Sequence, residues 1–466
     1  MLAGRNSSAL VAPAMRHDEA VLPSTQPEFF LPFMNPGSED AMEMNYTSSI
    51  LRFIVVGLVL AMLPVPLGAT EPGAEWNRFR GPDGRGVLDQ CKVPLPWSPS
   101  DVAWEIELPG RGNGSPVVYG DRIFLMSADP DTAERYLLCY DVATGRELWR
   151  RSYPSQPHHL HQRSSYASST PCATEEAVYF SWGSPDSVIL KALTHDGKEL
   201  WTRDFGRFVS QHGYGASPIV YGDKVILFNS QQAQQLPPGV EPGQSRVICV
   251  DARSGETLWE TPRTTTRACY GIPALFSTEN GEAALLFANT GDGIFALRLS
   301  DGKPLWNQKL LSKRSVSTPQ IAGELAIGTE GSGGGGNVLY AVYLHGDHRL
   351  KFKIARSAPY VPCPVVKDDL LFLWDDRGIV SCVDLKTGET LAMKRVGGNT
   401  STSPVIAGDR LIGISEEGTV TILTADPKLE KLGTVELGET TRATPVLRPD
   451  YILLRTNSRL IRVGRP

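Results

Sequence analysis

The chain has 466 residues, with 46 Lys and Arg against 51 Asp and Glu and a formal net charge of −5. That mild acidity argues against a nucleic-acid partner, whose phosphates call for clustered Lys and Arg. The 45 Gly and 35 Pro, spread evenly through a chain that is 41% hydrophobic, imply many tight turns and a β-rich globular fold.

Residues 1–41 are rich in Pro, Ser and Met and show no periodicity, which points to a true start at Met42 or Met44. Residues 1–49 are therefore read as disordered or as a mis-assigned start. Residues 50–69 read as a signal peptide or N-terminal anchor. Arg52 is followed by the apolar run Phe53 to Leu63, then Pro64, Pro66 and the small residues Gly68 and Ala69. Eleven apolar residues fall short of the roughly 20 that a membrane span needs. Export to a periplasmic or extracytoplasmic compartment is expected, with membrane association through this segment as the alternative. No Cys follows Ala69, so a lipid-anchored N-terminus is not expected. Residues 70–100, including "WNRFRGPDGRG" (Trp76 to Gly86), suit an extended strap over the fold, anchored by Trp76 and Phe79.

From residue 101 to 466 the chain repeats itself. "CYDVATGRELW" (Cys139 to Trp149) returns as "CVDARSGETLW" (Cys249 to Trp259). Related phrases end at Trp201 and Trp306, and "CVDLKTGETLA" carries Ala392 in the tryptophan position. A second phrase, a small residue, Pro, an apolar run and a turn, recurs at Pro116, Pro171, Pro218, Pro404 and Pro445. Weaker copies stand at Pro273, Pro319 and Pro364. The eight copies are spaced by 55, 47, 55, 46, 45, 40 and 41 residues. A period near 45 is the length of one four-stranded propeller blade.

Within a copy, "VVYGDRIFLM" reads as strands A and B around a Gly-Asp turn. Strand C ("RVICVD") leads into the Ser-Gly or Thr-Gly turn, and strand D ("TLWETP") carries the Trp. The eighth copy has room for strands A to C only. Its missing D strand is available upstream in "DVAWEIELPG", with Trp104 in the tryptophan slot. The expectation is an all-β, eight-bladed β-propeller of four-stranded blades, closed by an N-terminal strand that completes the last blade, and a monomer. The Gly suits a left-handed turn, and the Asp and Thr or Ser suit turn hydrogen bonds. Trp104, Trp149, Trp201, Trp259 and Trp306 suit the gaps between blades, their indole N–H groups on backbone. These roles are structural. Of the seven cysteines none has C-x-x-C spacing, and they read as small buried hydrophobes.

The pattern x-D-x-x-(T/S)-G-x-x-x-W resembles the tryptophan-docking repeat of the PQQ-like (quinoprotein alcohol dehydrogenase-like) propellers, over about residues 100–466. That group includes PQQ-dependent dehydrogenases and the non-enzymatic, BamB-like assembly proteins. The resemblance implies the propeller; for function it implies either a binding scaffold or a quinone-dependent oxidoreductase. The quinoprotein enzymes resemble one another in a vicinal Cys-Cys pair, a calcium site and a catalytic Asp. This chain has no adjacent cysteines and no Glu/Asn/Asp set on a matching motif. It also lacks the lipidation Cys of the assembly lipoproteins. The non-enzymatic branch is expected, with no cofactor; PQQ with calcium at an atypical site is the alternative.

Alternating strands sort the loops. A–B and C–D turns fall on one face, D–A and B–C loops on the other. The second face gathers His159, His161, Arg163, Tyr166, His212, Tyr214, Arg267, Tyr270, Arg314 and Arg442. Arg111, Asn113, Gln211, Lys313 and Asn399 accompany them, with two long B–C loops, 229–245 and 328–337. This His/Arg/Tyr-rich channel mouth is the expected binding face for an anionic or carbohydrate-like ligand or an extended peptide, hence a protein or glycan partner. No metal site is expected, because His158, His159 and His161 have no carboxylate or Cys at ligand spacing. No catalytic residues can be assigned: no Ser-His-Asp set assembles, and the glycine run Gly331 to Gly336 lacks the Lys of a phosphate loop. A hydrolase or lyase built on the His-rich funnel is a third reading.

Overall fold

The computed structural model describes residues 75–464, so the expectations for residues 1–49 and 50–69 lie outside the described residues. Eight antiparallel sheets follow one another as blades of a propeller. Blade 1 shows the plan: A is Val117–Tyr119, B Arg122–Ala128, C Arg135–Asp141 and D Glu147–Tyr153. The A strands of blades 2 to 8 begin at Cys172, Ile219, Ala274, Gln320, Val365, Val405 and Val446. Neighbouring A strands touch, so they line the axis, while the D strands form the perimeter. Blade 8 takes its A, B and C strands from Val446–Leu447, Ile452–Arg455 and Arg459–Val463. Its D strand is Val102–Glu107, with Trp104 opposite Arg462, so the two ends of the described chain close the ring as expected. Among the described residues no helix is long and apolar enough to cross a membrane.

Burial follows position in the ring. B and C strands are covered on both faces by neighbouring blades; Ile123 to Met126 and Val247 to Val250 are fully buried. D strands face solvent on one side and alternate, as in Glu147–Tyr153.

The repeated phrase builds the seams. Four of the five docking tryptophans lie on the C–D turn of the next blade and donate the indole N–H to a carbonyl there. Trp104 reaches Val142 O at 3.0 Å, Trp149 His195 O at 2.7 Å, Trp201 Ala252 O at 3.0 Å and Trp259 Leu299 O at 3.1 Å. The turn glycine under the ring has two reasons to be Gly. Gly255 has φ +72°, and a Cβ there would fall 2.6 Å from the Trp201 ring. In the turn itself, Asp141 accepts the Thr144 amide at 2.8 Å and its hydroxyl at 2.6 Å. Trp306 departs from the scheme by stacking on His348, ring centroids 4.4 Å apart. Phe352 fills the slot in blade 5 and covers Gly388. Six of the seven cysteines are buried and all are free. Burial pushes the Cys139 and Cys249 thiols up to about 12, so they pack as inert side chains.

The residue before each A-strand proline forms a second, inner seam. The amide of Ser115 donates to Thr170 Oγ1 (3.0 Å), Thr170 to Ser217 Oγ (2.9 Å), and Ile272 to Thr318 Oγ1 (3.3 Å). Thr318 donates to Cys363 Sγ (3.2 Å), Cys363 to Ser403 Oγ (3.0 Å), Ser403 to Thr444 Oγ1 (3.1 Å), and Thr444 back to Ser115 Oγ (2.9 Å). Each blade hands a backbone donor to the next blade's side chain until the circle returns to blade 1. Only Ile272, which has no side-chain acceptor, interrupts it.

The strap runs inside this circle rather than over the propeller. Trp76 O accepts the Val118 amide of blade 1 at 2.9 Å, Asn77 pairs with Ala173 of blade 2, and Arg78 reaches the Tyr221 hydroxyl of blade 3 at 2.8 Å. Two residues later the fully buried Arg80, at φ +64°, binds the carbonyls of Cys363 and Pro364 at blade 6. Blades 3 and 6 are three places apart in the ring of eight, so the strap spans the channel between them. It then adds Val87–Leu88 as a parallel fifth strand to Val405–Ala407 of blade 7. Trp76 is buried and Phe79 packs on the cluster between blades 3 and 4, so both residues anchor the strap.

Candidate functional site

A cavity of about 950 Å³ opens on the D–A and B–C face. Its wall includes all eight inner-seam positions and Phe79 of the strap. With the strap across the channel, it is a blind funnel at this mouth.

The loops that carry the funnel side chains are fastened from behind. Carboxylates and hydroxyls on the B–C turns accept backbone N–H groups of the neighbouring D–A loop. Glu330 accepts Ser312 N and, at 2.6 Å, Lys313 N. Asp376 accepts Tyr360 N at 2.7 Å and Val361 N at 3.0 Å. Asp292 accepts Thr264 N at 3.1 Å, and Thr290 Oγ1 accepts Thr266 N at 2.9 Å. Burial pushes the Asp376 carboxyl up while these two amides pull it down. The acidic side chains thus hold loops, and none lines the cavity. The charged residues that do are Arg163, Arg267, Lys313, Arg314 and Arg442.

These five cations fall in two groups. Glu416, just outside the wall, receives Arg442 Nη2 at 2.9 Å and lies 3.9 Å from Arg163 Nη2. It also accepts the Ser401 hydroxyl at 2.5 Å. Burial alone would raise the Glu416 carboxyl, but Ser401, Arg442 and Arg163 bring it below its ordinary range. Across the funnel, compensation is missing. Arg314 is 4% exposed; its Nη1 makes one long contact, 3.4 Å, to the Tyr360 hydroxyl, and its Nε and Nη2 have no partner. Arg267 makes one contact of 3.4 Å to Gln211 Oε1. Lys313 Nζ is turned to the carbonyls of Gly335 and Gly336 at 3.2 and 2.8 Å.

His161 and His212 lie between the two groups with ring centroids 4.3 Å apart. Burial first, then Arg314, His161 and Arg267, depress His212 to about 3. Burial and then Arg163 and Arg314 lower His161 as well. Both imidazoles are neutral at physiological pH.

Eight of the ten residues expected on this face line the funnel: His161, Arg163, His212, Tyr214, Arg267, Tyr270, Arg314 and Arg442. His159 and Tyr166 do not. His159 is exposed outside the wall. Tyr166 turns back, donating to His158 O at 2.8 Å and covering the buried Arg135. Two of the eight are occupied with packing. Tyr214 is 6% exposed and its hydroxyl bonds Ser181; the Tyr270 hydroxyl bonds Ser210 at 2.8 Å and Gly213 O at 2.9 Å. Sequence reasoning passed over Phe79 and Tyr360 as wall residues and over the inner seam. The signal for the seam was present as the small hydroxyl residue before most of the repeated prolines.

Among the described residues no group of three or more His, Cys, Asp and Glu converges as a metal site would require. The funnel cations suit the carboxylates of a bound quinone. Protein calcium sites draw their negative charge from carboxylates among their oxygen ligands, and the wall carries five cations and no carboxylate. The residues present therefore do not fit a calcium–quinone pair.

Comparison with known proteins bears on both branches of the fold. The family model described as outer membrane protein assembly factor BamB matches residues 97–180 and 243–342. The chain is 27% identical over 211 residues to polyvinylalcohol dehydrogenase of Sphingopyxis sp. (strain 113P3), covering 43% of this chain and 30% of that protein. It is 23% identical over 294 residues to outer membrane protein assembly factor BamB of Burkholderia pseudomallei (strain K96243), covering 60% of this chain and 65% of that protein. The matches thus span less than two thirds of the length of either relative. Among solved structures, a europium-containing methanol dehydrogenase superposes with TM-score 0.63 at 12% identity, covering 83% of this chain and 91% of that one. BamB from Moraxella catarrhalis superposes with TM-score 0.56 at 15% identity, covering 78% and 99%. At such identities the superpositions show a shared fold. With its docking tryptophans, its eight closed blades and these matches, the chain has the fold of the PQQ-like repeat β-propellers and is similar to both BamB and the quinoprotein alcohol dehydrogenases.

Proposed function

We propose that this chain is an exported binding propeller whose blind funnel receives an anionic group carried by its ligand or partner. One observation carries the reading: five cations and no carboxylate line the cavity, although the chain as a whole is acidic. Leaving the Arg314 guanidinium buried without full partners is costly, and an arriving anion would supply them. The BamB relative, an outer membrane protein assembly factor by name, supports an extracytoplasmic scaffold role.

Citrate, a compact polycarboxylate, is a suitable first probe. Calorimetric titration of the full chain should show saturable binding, and the double variant R267A/R314A should bind about tenfold or more weakly. Unchanged binding by that variant would refute the funnel as the site. The dehydrogenase relatives keep a second reading in view, a PQQ-dependent oxidoreductase. Quinone absorbance and tryptophan quenching, followed with and without calcium, separate the two. The binding-propeller reading expects no calcium-dependent association. Tight, calcium-dependent, one-to-one binding would favour the oxidoreductase and justify screening alcohols and sugars as electron donors.

A further inference from the structure

We propose that the funnel's ligand is an acidic oligosaccharide, with one acid group seated between Arg267 and Arg314 and its hydroxyls on the neutral wall. This rests on the funnel being an anion site and adds the ligand class and its orientation.

The orientation comes from the unequal state of the cations. Arg163 and Arg442 share Glu416, and Lys313 is spent on two carbonyls. Arg267 and Arg314 are the uncompensated pair: each makes one long contact of 3.4 Å to a neutral side chain, and both line the same cavity. Arg314 is nine-tenths buried and lines the cavity; its Nε and Nη2 are unpartnered but sealed from solvent, so an acid group engages them through a shift of the Arg314 side chain toward the cavity. A guanidinium edge with two unpartnered donors matches a two-oxygen acid group such as a carboxylate or sulfate ester.

The class comes from the rest of the wall and its size. A volume of about 950 Å³ is near the upper end of small-ligand sites, which run from roughly 300 to 1,000 Å³, so a lone ion leaves most of it unused. Away from the cations the wall is chiefly hydroxyl and amide side chains, among them Asn113, Ser164, Gln234, Gln235, Thr266 and Ser332. Such groups both donate and accept, as a ligand rich in hydroxyls requires. An extended peptide bound by strand addition needs a free backbone edge to pair with. The inner seam offers few: seven of its eight amides or side-chain acceptors are already linked between blades.

The test is calorimetric titration of the full chain with trigalacturonate, the neutral galactotriose, citrate and tetraglutamate. The expected order places trigalacturonate at least about tenfold tighter than either citrate or galactotriose, the gain from combining both parts of the wall. R267Q, a change at a half-exposed side chain, should weaken trigalacturonate and citrate alike. Q234A should weaken trigalacturonate and leave citrate unchanged. Should tetraglutamate equal or exceed trigalacturonate, the saccharide assignment is wrong and a peptide is favoured. If citrate binds but trigalacturonate is no tighter, the saccharide assignment fails while the anion site stands. If none binds, both fail together.

Discussion

On the C–D turn face, five of the eight seams are near copies of one another: an aromatic ring over a left-handed glycine, in four cases with an indole N–H on a carbonyl of the next blade. On the D–A face no two loops present the same side chains; one offers a pair of cations, another an imidazole, another a serine hydroxyl. The repeated chemistry is satisfied internally and leaves nothing for a ligand. The unrepeated chemistry includes a buried guanidinium with unpartnered donors. In a propeller, then, recurrence marks what the ring needs to close, and singularity marks what it is used for. Mutations on the two faces should separate stability from binding.

The largest effect is expected on the repeating face. Trp201 is 8% exposed, and W201A removes its ring from the Gly255 turn together with its bond to Ala252 O. The cost should be about 3–5 kcal/mol in chemical denaturation, the range for emptying an aromatic site, with citrate affinity of the folded fraction unchanged. A parallel loss of affinity would mean that the two faces are not independent.

Next in size is Arg314, with the opposite signature. R314M keeps the volume but removes a buried charge whose Nε and Nη2 are unpartnered. Thermal stability should hold or rise, because an uncompensated buried cation is unfavourable. Anion affinity should fall by about tenfold to a hundredfold, as for a lost charge-assisted pair. A clear drop in melting temperature would make Arg314 a structural residue and remove the main support for the site.

The inner seam tests whether ring closure is local to the repeats. Thr444 Oγ1 accepts the Ser403 amide, and T444V leaves that buried donor unmet. A loss of about 1–2 kcal/mol is expected, smaller than at Trp201 because the apolar packing survives. I272T offers the converse, since a hydroxyl there would stand where blade 4 lacks an acceptor. A stability equal to or above that of the parent, despite the lost methylene, would show the link forming.

How much of this was legible in the sequence follows the same division. The period near 45 residues, the Trp slot and the D strand at Trp104 specified blade number and closure, because each blade must bury the same faces and so repeats the same residues. The alternation of strand direction also placed most of the funnel residues on one face. What it could not supply was side-chain direction within irregular loops. Tyr166 and His159 lie in the same loop as His161, yet only the last reaches the funnel. Nor did charge counting reveal that Glu416 neutralises Arg163 and Arg442, from different blades, while Arg314 is left alone. The strap's course was hidden for a similar reason: a segment made once carries no periodic signal, and its contacts reach residues up to 373 positions away.

The smallest expected effect concerns protons. In the unfolded chain a histidine titrates near 6.5, whereas in the folded protein His212 is depressed to about 3, by burial and then Arg314, His161 and Arg267. Between those values the unfolded state holds the extra proton, so His212 lowers stability as pH falls from about 6.5 toward 3, and H212Q should flatten that part of the profile. Binding should respond in the other direction. An acid group between Arg267 and Arg314 offsets the very charges that depress His212, raises its proton affinity in the complex, and gains a further cation once the proton is taken up. Affinity for trigalacturonate should therefore rise by about threefold from pH 7 to pH 5, above the carboxylate's own titration near 4. Calorimetry in two buffers of different ionisation heat should register proton uptake on binding. H212Q should abolish both the uptake and the pH trend while retaining binding at pH 7. If the parent shows neither, the acid group lies away from His212, on the Arg163 and Arg442 side of the funnel.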